Sequence, residues 1–202
     1  RDNREFKDDK DFKVGKRPMA LCAGDFNGDN VTDIAAACAG PDKVSLLVNN
    51  GNGVFDKERQ FETAEDPSGI IAADFDNDHQ LDIATANRKA GNVSILLNKI
   101  YGNFNKPQNF RAGENPASLC AADFDNDNRI DIAVANNGSF YPSNISVLMN
   151  KGNGNLIDAV NYAAGKTPTS VCAADFDNDG DIDMAATSFE EGAIYIYYNT
   201  HY

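Results

Sequence analysis

Four copies of one acidic string set the frame of this sequence. Asp-Phe-Asn-Gly-Asp begins at Asp25, and Asp-Phe-Asp-Asn-Asp begins at Asp74, Asp123 and Asp175, so the steps are 49, 49 and 52 residues. Other landmarks keep the same step. Pro18, Pro67, Pro116 and Pro168 precede the strings, Asn49, Asn98, Asn150 and Asn199 close apolar runs, and Phe12, Phe61, Phe110 and Tyr162 mark a further segment. A fixed period of this kind is the signature of a repeat architecture, in which each unit buries its apolar face only against its neighbours. The units are 1–49, 50–98, 99–150 and 151–199, read as a single domain over 1–202. The three additional residues of unit three fall around Gly138–Ser143, between two strands, where an insertion costs little.

Within a unit the signals are all β. In unit two, Ile70–Ala73 is a short apolar run, followed by the acidic loop and a second run at Ile83–Asn87. Arg88–Asn92 is a turn, Val93–Leu97 a β-branched strand, Gly102–Asn103 another turn, and Phe104–Phe110 a looser, more polar strand. No segment carries a helical apolar period. Four strands per unit predict a propeller blade, and the expected fold is an all-β, small β-propeller of four blades. Arg4–Val14 aligns with the polar outer strand that ends the other blades, whereas the last unit stops after its third strand at Ile194–Asn199. The expectation is that the N-terminal strand completes the last blade and closes the ring, which removes an exposed sheet edge. The alternative is a chain cut from a longer propeller at a blade boundary.

Each acidic loop reads Asp-x-Asp/Asn-x-Asp-x-x-x-Asp. Positions 1, 3, 5 and 9 are Asp25, Asn27, Asp29 and Asp33, then Asp74, Asp76, Asp78 and Asp82, then Asp123, Asp125, Asp127 and Asp131, then Asp175, Asp177, Asp179 and Asp183. Alternating carboxylates in a tight turn can converge on one hard cation, and calcium takes about six to eight oxygens. Position 7 is Val31, Gln80, Arg129 and Asp181, as expected where only the backbone carbonyl serves as a ligand. Position 6 is Asn30, His79, Asn128 and Gly180, residue types that tolerate positive φ. These three patterns predict four Ca2+ sites. An EF-hand does not fit, because position 12 is Ala36, Thr85, Val134 and Ala186 in place of Glu and the flanks read as strands. Four clusters of carboxylates without a metal would leave like charges to repel one another.

The string Asp-Phe-Asp-Asn-Asp-Gly-Asp-Ile-Asp at 175–183, with the Asn-rich turns and Gly-Asn-Gly at 152–154, resembles the FG-GAP or VCBS repeat. The resemblance covers all four units. It implies propeller blades of the kind found in integrin α-subunits, some fungal lectins and many secreted bacterial proteins, with calcium between the first and second strands of each blade. Asn27, Asn30 and His79 depart from the pattern in loops one and two, and the family's rings usually hold six to eight blades.

The charge balance now has a cause. Of the 31 acidic residues, set against 18 basic ones for a formal charge of −13, fifteen stand at loop positions 1, 3, 5 and 9. Such a balance argues against nucleic acid and against an anionic membrane surface as partners. No apolar run approaches the about 20 residues of a membrane span. The chain begins at Arg1, as expected of a mature or trimmed product, so the lack of a visible leader has no bearing on secretion. Cys22, Cys120 and Cys172 share one place in their units with Ile71, which favours buried apolar thiols; a Cys22–Cys38 bridge is the alternative. The histidines, His79 and His201, have no nucleophile and orienting carboxylate beside them. The chain is therefore expected not to be an enzyme. Tyr195, Tyr197 and Tyr198, with Tyr202, Phe140 and Tyr141, are candidates for partner contact or for capping the last blade's core. Sequons at Asn30, Asn92, Asn137 and Asn144 arise largely from the repeat itself.

The expected function is an extracellular or cell-surface calcium-binding module with a structural, adhesion or self-assembly role. Its partners would be other proteins or copies of itself, as a homo-oligomer or filament. The alternatives are a carbohydrate-binding lectin domain and a non-catalytic accessory domain of a secreted enzyme.

Overall fold

The computed structural model describes residues 10–138 and 143–200, and among them there are fifteen strands and no helix. Phe6, Phe140, Tyr141, His201 and Tyr202 lie outside the described residues. Each unit opens with a seven-residue strand whose first residue is the recurrent proline: β1 (Pro18–Gly24), β5 (Pro67–Ala73), β9 (Pro116–Ala122) and β13 (Pro168–Ala174). The second strands follow the acidic loops and begin on the position-9 aspartate: β2 (Asp33–Cys38), β6 (Asp82–Asn87), β10 (Asp131–Asn136) and β14 (Asp183–Ser188). Third strands are β3 (Lys43–Leu47), β7 (Asn92–Leu96), β11 (Asn144–Leu148) and β15 (Ala193–Tyr197). Three units add a short outer strand: β4 (Arg59–Glu62), β8 (Gln108–Arg111) and β12 (Val160–Ala163). All pairings are antiparallel between consecutive strands, giving three four-stranded sheets and a last sheet of three strands.

The outer strands are shorter than their sequence suggests. The expected strand over Phe104–Phe110 divides into a single bridge, Asn98 with Phe104, and β8 further on, with Pro107 between them. Units one and three make the same bridge, Asn49 with Phe55 and Asn150 with Leu156.

The second strands are buried on both faces, which explains their near-continuous apolar runs such as Asp-Ile-Ala-Val-Ala-Asn in β10. The cores lie between successive sheets. Val44, Leu46 and Phe26 of the first sheet pack on Ile70, Ile83 and Leu96 of the second. Val93, Ile95 and Phe75 pack on Leu119, Ile132 and Leu148. Ile145, Val147 and Phe124 pack on Val171 and Met184.

The third strands end in an asparagine that ties one sheet to the one before it. Asn98 Nδ2 donates to the Phe26 carbonyl (2.8 Å) and to the Leu81 carbonyl (3.1 Å). Asn150 does the same with Phe75 (2.8 Å) and Ile130 (3.0 Å), and Asn199 with Phe124 (2.7 Å) and Ile182 (3.2 Å). Asn49 Nδ2 makes no such tie to another unit and donates to the Thr32 carbonyl of its own, at 3.0 Å.

The ring closure expected from the sequence is not formed. β1 packs on β5, β5 on β9 and β9 on β13, while β13 makes no comparable contact with β1. Residues 10–14, the described part of the expected closing strand, form no strand and do not pair with β15. They lie at the other end of the row, with the Phe12 ring edge-on to Phe55 at 4.9 Å. The link from Val14 to the start of β1 at Pro18 is too short to carry this segment across three sheets. Among the described residues the four sheets therefore form an open row of blade-like units.

Replacing Asn150 by Ala strands two buried carbonyls and should cost about 2 kcal/mol, which for a chain of this size lowers Tm by about 4–8 °C. Asn49→Ala, whose side chain makes no bond to another unit, should shift Tm by less than half as much. Thermal unfolding of the two variants checks the assignment, and equal shifts would contradict it.

Candidate metal centres

Each acidic loop runs from the last residue of a first strand to the first residue of a second strand, so its two ends are held by the sheet. The loop then folds onto its own leading aspartate. Asp25 Oδ1 accepts from the N–H of Asn27, Gly28 and Asp29, and its Oδ2 from Asn30 (2.7 Å). Asp74 accepts from Asp78 (3.1 Å) and His79 (2.8 Å), Asp123 from Asp127 (3.1 Å) and Asn128 (2.8 Å), and Asp175 from Asn178 (2.7 Å) and Gly180 (3.1 Å). The position-5 aspartates close a second small turn. Oδ1 of Asp29, Asp78, Asp127 and Asp179 takes the N–H of Val31, Gln80, Arg129 and Asp181 at 2.8–2.9 Å. These turns need left-handed backbone at position 6, and Asn30, His79, Asn128 and Gly180 all have positive φ, as expected. Position 4 is left-handed too, at Gly28, Asn77, Asn126 and Asn178, which the sequence reading missed although Gly and Asn recur there.

The position-9 aspartate has a role beyond that of a ligand. Buried in all four loops, it accepts one backbone N–H on each carboxylate oxygen. Asp33 holds Phe26 (2.9 Å) and Asn49 (2.8 Å), Asp82 holds Phe75 (2.8 Å) and Asn98 (2.7 Å), Asp131 holds Phe124 (3.0 Å) and Asn150 (2.7 Å), and Asp183 holds Phe176 (2.9 Å) and Asn199 (2.7 Å). It clamps the start of the loop to the end of the third strand.

Three loops gather carboxylates closely enough to share a cation. Asp74, Asp76 and Asp78 form one group, Asp123, Asp125 and Asp127 a second, and Asp175, Asp177 and Asp183 a third, the candidate ligand oxygens of each lying within 4.8 Å of one another. Loop one forms no such group. There Asn27 stands in for a carboxylate, and its Nδ2 donates to Asp29 Oδ2 at 2.9 Å. Asp82, Asp131 and Asp179 remain outside the close groups. Position 7 is not passive in loops two and three: Gln80 Nε2 donates to Asp78 Oδ2 (2.7 Å), and the Arg129 guanidinium pairs with Asp127 while its Nε bonds the Asn150 carbonyl (2.7 Å).

A test of fit comes from position 3. The Oδ1 atoms of Asp76 and Asp125 are buried and accept no hydrogen bond. Each carboxyl is held above its ordinary pKa, first by burial and then by the neighbouring aspartate charges. A buried, unpaired carboxylate oxygen beside two more carboxylates is costly as it stands. A divalent cation removes both the unmet acceptor and the repulsion, so the donor set fits calcium.

Burial also pushes Asp82 up to about 7 and Asp131 up to about 6, against the lowering effect of their two amide donors. Because these folded pKa values lie above the unfolded ones, the metal-free fold binds more protons than the unfolded chain between about pH 4 and 7. In chelator, Tm should therefore rise as pH falls from 7.5 to 5.5. With saturating calcium this slope should flatten or reverse, because protonation competes with the cation. Melting curves across the two pH series check this, and identical slopes would contradict it.

The chain matches a family model described as FG-GAP-like repeat over residues 25–85, 80–134 and 123–186. Among curated proteins none matches the sequence. Several solved structures share its fold. The V. cholerae biofilm matrix protein Bap1 is 19% identical with a TM-score of 0.58, over 88% of this chain and 26% of that one. BBS1N, solved in complex with ARL6DN, is 12% identical with a TM-score of 0.56, over 91% and 57%. The Photorhabdus luminescens Tc holotoxin pore is 17% identical with a TM-score of 0.51, over 90% and 9%. The chain thus spans less than two thirds of each of these structures. With the family model covering most of its length and the repeated loop built alike four times, the chain belongs to the FG-GAP-like repeat family.

Proposed function

We propose that this chain is an extracellular or cell-surface calcium-binding repeat module whose work is mechanical and adhesive: it presents protein-binding surfaces and performs no chemistry of its own. The observation that carries the reading is the pair of buried, unpaired Oδ1 atoms of Asp76 and Asp125 within clusters of three carboxylates. Asp74, Asp76 and Asp78 would hold one ion, Asp123, Asp125 and Asp127 a second, and Asp175, Asp177 and Asp183 a third. The first loop, with Asn27 engaged internally, would be the weakest of the four. Calcium bound here would link the first two strands of each unit, stabilising the native state because the unfolded chain has no assembled site. Loops of this kind suit the millimolar calcium outside cells. No helix among the described residues is long and apolar enough to cross a membrane.

One observation favours a second reading, carbohydrate binding. A polar groove of about 1080 Å³ lies at the strand ends opposite the acidic loops, lined by Asn92, Arg111, Asn115, Asn144, Asp158 and Asn161. Amide and charged groups at this density suit a hydroxyl-rich ligand.

Isothermal titration with calcium should detect at least three ions per chain, and Asp76→Asn should remove one. Chelation should lower Tm by about 10 °C or more, the effect of several saturated sites. A melting curve indifferent to calcium, with no metal found by elemental analysis, would overturn the reading. Retention on a glycan array, lost on Arg111→Ala, would establish the second.

A further inference from the structure

The side chain at loop position 7 differs in all four loops, and with it the charge set against the position-5 aspartate. In loop two, Gln80 Nε2 donates to Asp78 Oδ2 (2.7 Å) and to the Lys99 carbonyl (3.1 Å). Arg129 makes a similar pair of contacts in loop three, its guanidinium pairing with Asp127 Oδ2 and its Nε donating to the Asn150 carbonyl (2.7 Å). In loop one the Val31 side chain has no polar group. In loop four Asp181 adds a carboxylate, whose Oδ1 accepts from Asn126 Nδ2 of loop three at 2.6 Å. Over positions 1, 3, 5, 7 and 9, loop four holds five carboxylates and loop two holds four, while loop three sets one guanidinium among its four.

Loop three thus carries a cation of its own. Arginine keeps its charge at any ordinary pH, and its planar fork matches a carboxylate. The far side of that fork is fixed as well, because the N–H of Asn150 is clamped by Asp131 (2.7 Å) and its amide ties unit three to the Phe75 carbonyl (2.8 Å). The guanidinium is therefore held by the sheet as well as by the loop. In other respects loops two and three are alike. Asp74, Asp76 and Asp78 gather as Asp123, Asp125 and Asp127 do, and Oδ1 of Asp125, like that of Asp76, is buried without a donor. A divalent ion competes with a neutral amide for Asp78 in loop two, and with a guanidinium for Asp127 in loop three. In the second case it must also settle beside a positive charge.

We propose that Arg129 is the resident counter-cation of loop three: it neutralises Asp127 when no ion is bound, holds the turn closed, and makes this loop fill with calcium after loops two and four. The inference rests on the calcium reading of the loops and adds the residue that ranks them. The Arg129 and Asp127 side chains are 39% and 23% exposed, so solvent screens the pair in part. The handicap on calcium is then about tenfold, between the small effect of an exposed ion pair and the large one of a buried pair.

Arg129→Gln removes the charge and leaves the amide chemistry that Gln80 performs in loop two, while Arg129→Lys keeps the charge. The backbone N–H groups of His79, Asn128 and Gly180 each bond the leading aspartate of one loop, so their amide resonances report the three loops separately during a calcium titration. In the wild-type chain the Asn128 signal should reach its midpoint at about ten times the calcium that moves His79 and Gly180. In Arg129→Gln it should move with His79, the other two midpoints staying in place, and Arg129→Lys should remain near wild type. In chelator Arg129→Gln should melt below wild type, and saturating calcium should abolish the difference. A wild-type Asn128 midpoint equal to that of His79, or one that Arg129→Gln leaves unchanged, would overturn the role of Arg129 alone. If none of the three amides responds to calcium, the calcium reading falls and this inference with it.

Discussion

The structure depends on what happens to the two backbone groups of one residue, the phenylalanine at loop position 2. Its N–H goes to the position-9 aspartate of its own unit, and its carbonyl takes the terminal asparagine of the next, as Phe75 does with Asp82 and Asn150. Its ring is buried in the core between the same two sheets. The acidic loop and the sheet-to-sheet joint are thus one assembly. Whatever orders the loop also sets the height and tilt at which the next sheet is attached. A cation in the loop would act on the next sheet through this residue.

That coupling extends from loop to loop. Asn77 Nδ2 reaches the Asn128 carbonyl at 3.1 Å, and Asn126 Nδ2 reaches Asp181 at 2.6 Å. The second, third and fourth acidic loops therefore form a connected edge along the row, with neutral amides placed between their charges. Repulsion within such an edge grows with each ionised carboxylate. The carboxyls of Asp76, Asp125 and Asp177 are held above their ordinary values first by burial and then by the aspartates of their own loops. Divalent ions would relieve that repulsion within each loop.

Much of this is legible in the sequence because it follows local rules. The repeat phase, the order of the strands, and the left-handed backbone of Asn30, His79, Asn128 and Gly180 rest on residue type and spacing alone. The ties of Asn98, Asn150 and Asn199 did show as a strict recurrence, but the recurrence does not say that the donor crosses to another unit. The N-terminal segment was misplaced for a related reason. Its likeness to an outer strand is real, and Phe12 keeps the outer-strand contact, but a pattern cannot tell which sheet such a strand serves. That is fixed by the rotation between successive sheets, a property of side-chain packing in the cores. Contacts such as Arg129 with Asp127 are equally invisible until the turn has formed.

The unequal length of unit three has a consequence for how proteins of this construction can vary. Its extra residues fall between β10 and β11, at the strand ends remote from the acidic loops, and the register of β10 with β11 continues without a break. One rim of the row is bound by the acidic loops and by the asparagine ties to the neighbouring sheet. The opposite rim has ties of its own, Arg17 with Asp66 and Ser68 with the Pro116 carbonyl, but the segment between β10 and β11 takes additional residues without disturbing the ladder beside it. Novelty in what such a protein recognises can accumulate in connections of that kind, leaving the pairing that holds the sheets in line untouched.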